Sequence, residues 1–112
     1  VQALAHLARA HDVLCVVDGV CSIGGEALEM DAWGVDVAFT ASQKALGAPP
    51  GLAVLLASPR AMEAWKGRTK RVAAMYLDFA QWLPIHQAYE AGQPSYFATP
   101  AVNLIMALDV SL

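Results

Sequence analysis

Apolar residues in this chain follow two spacings, one typical of helices and one typical of buried strands. Residues 2–11 carry apolar side chains every three or four positions, which predicts a helix. Residues 13–17 form an unbroken apolar run that ends at Asp18, and such a run is typical of a strand covered on both faces. A helix that leads into a buried strand indicates a parallel α/β sheet.

The spacing of apolar residues, together with turn and capping residues, predicts the remaining elements. Strands are expected at residues 35–40 and 52–57, with a glycine-rich loop at 19–25. Helices are expected at residues 30–33, after Ser58 and Pro59, and after Thr99 and Pro100. In the aromatic segment 76–89, Pro84 is expected to interrupt any long helix, and residues 96–98 are expected to be extended.

Composition indicates an interior rather than a complete domain. The chain has 112 residues, of which 57% are hydrophobic and 15% charged, with a net charge of −3. It begins with Val and ends in an apolar helical pattern, so residues 1–112 are expected to be a fragment of a larger domain. No apolar run reaches membrane-spanning length and no targeting segment is visible, which leaves the compartment open.

Charge and cysteine usage argue against nucleic acid and metal. The basic residues of segment 66–71 lie in an acidic chain without interleaved aromatics, so a solvated face is expected rather than a nucleic-acid site. Cys15 and Cys21 lack a metal-ligand motif and are expected to be reduced thiols of an intracellular protein. No membrane association and no metal site are predicted.

Chemistry concentrates where two predicted strands end. Asp18 follows the first strand, and Lys44 lies just after the second, before a rigid Pro/Gly turn. Carboxyl ends of neighbouring parallel strands meet at one edge of a sheet, where ligands bind. Pyridoxal phosphate (PLP) needs a lysine for its aldehyde and an anion for its ring nitrogen. A surface lysine and a turn-capping aspartate are the competing interpretations.

Three segments resemble the class V aminotransferases, in particular their alanine–glyoxylate and serine–pyruvate members. They are residues 16–25, residues 30–36, and residues 40–51, which read Thr-Ala-Ser-Gln-Lys-Ala-Leu-Gly-Ala-Pro-Pro-Gly. The similarity continues through residues 96–100 and so covers nearly the whole chain. It implies the α/β aspartate-aminotransferase fold (PLP fold type I), a mainly parallel sheet with flanking helices. Residues 1–112 would form part of the large PLP-binding domain, without the phosphate-loop region and the C-terminal small domain.

The resemblance also implies roles for individual residues. Lys44 matches the Schiff-base lysine, Asp18 the partner of the pyridine nitrogen, and Val20 the residue packed against the ring. Gln43 matches a glutamine that binds the cofactor phosphate. Tyr96 and Thr99 match a pair that reaches the phosphate of the neighbouring subunit in a homodimer. For Thr99 this is consistent with a helix N-terminus, which favours an anion.

The implied activity is PLP-dependent transamination from L-alanine or L-serine to glyoxylate, giving glycine and a 2-oxo acid. Related enzymes that remove sulfur from cysteine usually carry histidine where Gln43 stands, which favours the transaminase branch. Serine–pyruvate or serine–glyoxylate transamination, or a lyase reaction on the same fold, stays open. A catalytically inert fragment is the alternative of another class.

Overall fold

A computed structural model describes all 112 residues, which divide into two compact units. One unit comprises Val1–Gly67 and Val102–Leu112, and the other comprises Arg68–Ala101. No helix is long and apolar enough to cross a membrane.

Every predicted helix and strand is present, with boundaries shifted by a few residues. The first unit contains α1 (Gln2–Ala10), β1 (Val16–Asp18), α2 (Met30–Trp33), β2 (Val37–Ala41), β3 (Ala53–Ala57), α3 (Pro59–Lys66) and α5 (Val102–Ser111). The second unit contains a 3₁₀ turn (Met75–Leu77) and α4 (Phe79–Glu90).

The three strands form one mixed sheet in the order β1-β2-β3. β1 and β2 are parallel, with Asp18 opposite Phe39, whereas β3 is antiparallel to β2, with Ala53 opposite Ala41. A parallel partner for β2 would need a long crossover, usually through a helix. The segment 42–52 contains no helix and turns the chain back directly, so only one of the two strand pairs here is parallel.

The first strand is shorter and less covered than its apolar run predicts. Regular pairing begins only at Val16, and the side chains of Val13 and Val16 are 56% and 59% exposed. β1 lies at a sheet edge, and the core packs against one of its faces, where Val17 is half-buried. The expectation that both faces are covered is therefore wrong for β1 within this chain.

Small side chains form the centre of the core. Three residues are buried against one another: Ala5 of α1, Val35 just before β2, and Ala38 of β2. The two alanines allow the helix to approach the sheet closely, and larger apolar side chains surround this contact, namely Cys15, Val17, Ile23, Leu28, Met30 and Trp33.

A buried carboxylate connects the start of the sheet to α3. Asp36 is 2% exposed, and its Oδ2 accepts hydrogen bonds from the Cys15 amide at 2.9 Å and from Arg60 Nη1 at 2.8 Å. Its Oδ1 accepts a hydrogen bond from the Ser58 hydroxyl at 3.2 Å. The Arg60 pKa is raised above its ordinary value, first by a hydrogen bond to Asp12 and also by the charge of Asp36. Asp36 thereby joins three segments that are distant in sequence.

Ser58 also caps α3 as predicted. Its hydroxyl accepts a hydrogen bond from the Ala61 amide at 3.1 Å, and Pro59 occupies the first turn, where no amide partner is needed.

The expectation that Pro84 interrupts the aromatic segment is wrong. α4 runs through Pro84 over 12 residues, from Phe79 to Glu90. Proline removes the hydrogen bond to the carbonyl four residues earlier and its ring crowds that carbonyl, but here the carbonyl is that of the exposed Ala80, which water can solvate. Asp78 stabilises this turn, because its carboxylate accepts a hydrogen bond from the Ala80 amide at 3.1 Å.

Thr99 is not the cap of the last helix. α5 begins at Val102, and the Thr99 hydroxyl is hydrogen-bonded to the Tyr96 hydroxyl instead. Pro100 disfavours helical backbone at the residue before it, which keeps Thr99 out of the helix. Residues 96–98, expected to be extended, form no strand and bend at Phe97.

Replacing Asp36 with alanine should destabilise the intact protein. Loss of the acceptor for the Cys15 amide alone should lower the free energy of unfolding by about 1–3 kcal/mol. Urea denaturation measures this change. Asp109→Ala is the matched control, since Asp109 is exposed and makes no hydrogen bond. Equal unfolding midpoints for the two variants would contradict the structural role of Asp36.

Candidate active site

Asp18 and Lys44 belong to the same edge of the sheet. Asp18 is the last residue of β1, and Gln43 and Lys44 come directly after β2 and Ser42. Because β1 and β2 are parallel, their carboxyl ends meet at one edge. The sequence-based prediction that these two strands end together is confirmed.

The Asp18 carboxylate is oriented by its own loop. Its Oδ1 accepts a hydrogen bond from the Val20 amide at 3.1 Å, which closes an Asx turn. Oδ2 accepts no hydrogen bond from the chain, and the residue is exposed. One carboxylate oxygen is therefore available to a hydrogen-bond donor that is not part of the chain.

The loop after β1 is fastened to β2. The buried Thr40 hydroxyl donates to the Val20 carbonyl at 3.2 Å, and the Gly19 amide donates to the Phe39 carbonyl at 3.0 Å. These bonds fix Asp18 and Val20 relative to the strand that leads to Lys44. The half-buried Val20 thus has a defined place beside the end of the sheet.

The Lys44 backbone lies in a tight turn, while its side chain is exposed. The Lys44 amide donates to the Ala41 carbonyl at 3.2 Å, and its carbonyl accepts from the Gly47 amide at 2.9 Å. Lys44 Nζ has no carboxylate within the 4.0 Å range of an ion pair, unlike Arg60 and Lys66. An amine that no carboxylate holds can react with a carbonyl compound. The adjacent Gln43 side chain is also exposed and makes no hydrogen bond.

The loop after β1 and the turn after β2 are in direct contact. A Cβ at Gly24 would lie 2.9 Å from Leu46 Cδ2, and one at Gly25 would lie 3.3 Å from the Ala45 Cβ. Two glycines therefore allow the loop that follows Asp18 to approach the residues that follow Lys44. A larger residue at Gly24 would need one of the two segments to move.

Tyr96 and Thr99 lie in the second unit, where their hydroxyl oxygens are 2.7 Å apart. Both residues are exposed. Between them, Phe97 packs edge-on against Trp82, with ring centroids 5.0 Å apart. Trp82 in turn packs against Tyr76 at 5.1 Å and donates from Nε1 to its carbonyl oxygen at 2.6 Å. The hydroxyl pair is thus carried on a segment anchored by an aromatic cluster.

These groups match what pyridoxal phosphate needs. Lys44 offers an amine for the aldehyde, and the open oxygen of Asp18 is an acceptor for a protonated ring nitrogen. The Gln43 amide and, in the other unit, the Tyr96 and Thr99 hydroxyls are groups that can donate hydrogen bonds to an anion. No three His, Cys, Asp or Glu side chains are grouped so that they could hold a metal ion, and both cysteines are free thiols.

Sequence reasoning missed several residues that shape the site. Ser42 and Thr40 are buried polar residues whose hydroxyls are hydrogen-bonded, and Ser111 of α5 donates to the Leu46 carbonyl. Hydroxyl residues at the end of a buried strand were a visible signal for Thr40 and Ser42. No local pattern indicates Ser111, because its partner is 65 positions away.

The fold and site define an α/β protein with a lysine and a carboxylate at one sheet edge, and comparison with known proteins identifies its class. The family model for class-V aminotransferases matches residues 1–110. The chain belongs to the class-V aminotransferase family.

Individual relatives agree with this assignment. The chain is 52% identical over 99 residues to alanine–glyoxylate aminotransferase 1 of Saccharomyces cerevisiae, covering 87% of this chain and 26% of the relative. It is 42% identical over 103 residues to serine–glyoxylate aminotransferase of Arabidopsis thaliana, covering 91% and 24%. The chain spans about a quarter of the length of these curated relatives.

A solved structure shows the same fold. The crystal structure of an alanine–glyoxylate aminotransferase from Nostoc sp. superposes with a TM-score of 0.84 at 38% identity, covering 96% of this chain and 28% of that one. The predicted α/β fold of the aspartate-aminotransferase type is thereby confirmed.

Substitution of Gly24 by alanine should disturb the contact between the two loops. Gly24 has φ of +94°, so alanine there costs about 1–2 kcal/mol for the left-handed backbone and also meets Leu46. We expect weaker PLP binding, measured as the dissociation constant from a titration of visible absorbance.

Gly92→Ala is the control for this substitution. Gly92 also has positive φ, at +66°, but a Cβ there meets nothing within 4 Å. Unchanged PLP affinity in Gly24→Ala, or an equal loss in both variants, would show that the loop contact does not support the site.

Proposed function

We propose that the intact protein is a PLP-dependent aminotransferase that transfers the amino group of L-alanine or L-serine to glyoxylate, giving glycine and a 2-oxo acid. The observation that carries the proposal is the placement of Lys44 and Asp18 at one sheet edge, with an unpaired amine and an open carboxylate oxygen. The names of relatives from yeast and Arabidopsis support the reaction class.

Lys44 has two tasks in this proposal. Its Nζ is the amine that would hold the cofactor through the cofactor's aldehyde until an amino acid substrate takes its place. The free amine, in its uncharged form, would then accept the proton from the substrate Cα and deliver it to C4′ of the cofactor, acting first as general base and then as general acid. Its exposure leaves it room to move between these positions.

Asp18 maintains the charge that the reaction needs. Pyridoxal phosphate, when bound, supplies an electron sink whose strength depends on a protonated ring nitrogen. The negative charge at Asp18 Oδ2 would hold that proton on the ring, because a nearby opposite charge favours the protonated form. The Asx turn with Val20 keeps the carboxylate directed by using only its other oxygen.

The remaining residues would bind and orient the cofactor. Val20 would pack against one face of the ring, and the Gln43 side-chain amide would donate to the phosphate. Tyr96 and Thr99 would donate to the phosphate held by a second subunit, which makes the protein a homodimer with shared sites. Their hydroxyl oxygens lie 2.7 Å apart, which supports this role, because one phosphate could accept from both once the hydroxyls turn from each other towards the anion.

We also propose that residues 1–112 are part of the large cofactor-binding domain. Their match to about a quarter of each curated relative supports this assignment. A phosphate-binding loop and an arginine for the substrate carboxylate would then belong to other parts of the intact protein. We propose an intracellular enzyme that acts on small amino and 2-oxo acids and binds neither nucleic acid nor membranes.

Lys44→Ala should abolish the visible absorbance that the intact protein gains on mixing with PLP. The reason is that only a covalent bond to an amine of the protein produces this band at a defined site. The measurement is an absorbance spectrum after removal of unbound PLP. Lys70→Ala is the control, since Lys70 is an exposed lysine of the other unit. A band retained in Lys44→Ala would refute the assignment of the lysine.

Steady-state rates identify the amino donor. With glyoxylate as acceptor, we expect kcat/KM for L-alanine or L-serine to exceed that for L-cysteine and L-aspartate by at least about tenfold. One distinguishing polar contact to the donor is sufficient for such a ratio. Comparable rates with all four donors would contradict the proposed substrate class. Faster release of sulfur from L-cysteine than transamination would favour the lyase alternative.

A further inference from the structure

The turn that carries Lys44 lies outside regular secondary structure, so its conformation depends on individual hydrogen bonds. Residues 42–52 connect β2 to β3 without a helix. Two positions in it, Gly47 and Gly51, have positive φ, at +72° and +132°. Such a turn holds one conformation only if its backbone polar groups find fixed partners.

Ser42 supplies most of these partners. It is fully buried, at 0% exposure, and its hydroxyl donates to the Pro49 carbonyl at 2.6 Å while accepting from the Leu52 amide at 3.2 Å. Its backbone amide donates to the Leu52 carbonyl at 3.0 Å, and its carbonyl accepts from the Ala48 amide at 2.9 Å. One serine thus closes the turn at its base through both side chain and backbone.

A second hydroxyl binds the turn from the other side. Ser111, near the end of α5, donates to the Leu46 carbonyl, two residues after Lys44. The same helix lies against the end of the turn, where a Cβ at Gly51 would be 2.7 Å from Leu104 Cδ1. α5 therefore supports the outer side of the turn, and Ser42 supports its base.

We propose that Ser42 and Ser111 are positioning residues for Lys44, an inference that rests on the proposed function. Both hydroxyls are hydrogen-bonded to backbone groups of the turn or its base. They therefore act on the cofactor indirectly, by fixing the conformation of the turn. They hold the Lys44 backbone in one conformation and so limit the directions that Nζ can take.

Loss of these hydroxyls should weaken the covalent attachment of the cofactor to Lys44 more than it weakens the cofactor's other contacts. Removing the Ser42 hydroxyl leaves the Pro49 carbonyl and the Leu52 amide without these partners, and the turn can relax. A reaction between two groups depends steeply on their alignment, so a less ordered Lys44 attaches the aldehyde less favourably. The ring contacts of Asp18 and Val20 should change less, because both residues lie on the other loop.

Comparison of two cofactor forms separates these effects. PLP uses Lys44 covalently, whereas pyridoxamine phosphate has an amine in place of the aldehyde and cannot. The experiment measures both dissociation constants for the intact protein and for Ser42→Ala, Ser111→Ala and Ser22→Ala. Ser22 is an exposed serine whose hydroxyl makes no hydrogen bond, so it serves as the matched control.

We expect the ratio of the PLP to the pyridoxamine phosphate dissociation constant to rise at least about threefold in Ser42→Ala, as befits the loss of one or two hydrogen bonds. Ser111→Ala should shift it in the same direction, and Ser22→Ala should leave it unchanged. A general loss of stability would weaken both ligands together and leave the ratio constant. A wild-type ratio in Ser42→Ala overturns the inference. If that variant does not fold, Ser111→Ala decides by the same criterion.

Lys44→Ala distinguishes failure of this inference from failure of the proposed function. It should bind pyridoxamine phosphate while losing the preference for PLP, and so it marks the largest possible change in the ratio. If Lys44→Ala keeps the wild-type ratio, the proposed function itself fails. If Lys44→Ala loses the preference while Ser42→Ala retains it fully, only the positioning role is refuted.

Discussion

The buried carboxylate of Asp36 is the interaction on which the arrangement of the sheet depends. It accepts hydrogen bonds from the Cys15 amide, from Ser58 at the start of α3 and from Arg60. An unpaired carboxylate in that position would be strongly unfavourable, so the three donors must be present together. Their convergence sets the start of β1 beside the start of β2. Since the strands are parallel, it also determines where their carboxyl ends lie.

At the opposite end of the strands, hydroxyl residues and glycines hold the loops in place. Thr40 fastens the loop that follows Asp18, Ser42 closes the turn that carries Lys44, and Gly24 allows the two segments to touch. Each of these residues is small, which fits a site where a backbone must approach another closely. A site that binds and aligns a reacting group must hold its side chains to within about 0.5 Å, which requires rigid supporting residues of this kind.

The sequence predicted the elements well because their signals are local. A 3.6-residue period marked α1, apolar runs marked the strands, and Ser58 with Pro59 marked the start of α3. Predictions failed for two different reasons. The exposure of Val16 depends on the position of β1 at the sheet edge, which no local pattern encodes. The bonding of Thr99 is local, but its hydroxyl can either cap a helix or bond Tyr96, and the pattern does not decide between them. Asp18 and Lys44 could be predicted from sequence because each follows a recognisable strand. Ser111 could not, because its partner is 65 positions away.

Polar side chains at this edge of the sheet divide into two groups by their hydrogen bonding. Thr40 and Ser42 are buried and use their hydroxyls on the chain itself, which stabilises the loops but leaves nothing for a ligand. Lys44, Gln43 and one oxygen of Asp18 are exposed and unbonded, at a small cost because water solvates them. In the proposed complex with pyridoxal phosphate, the same groups would gain fixed partners without breaking any hydrogen bond of the fold. This separation would let the supporting residues remain in place while Lys44 moves.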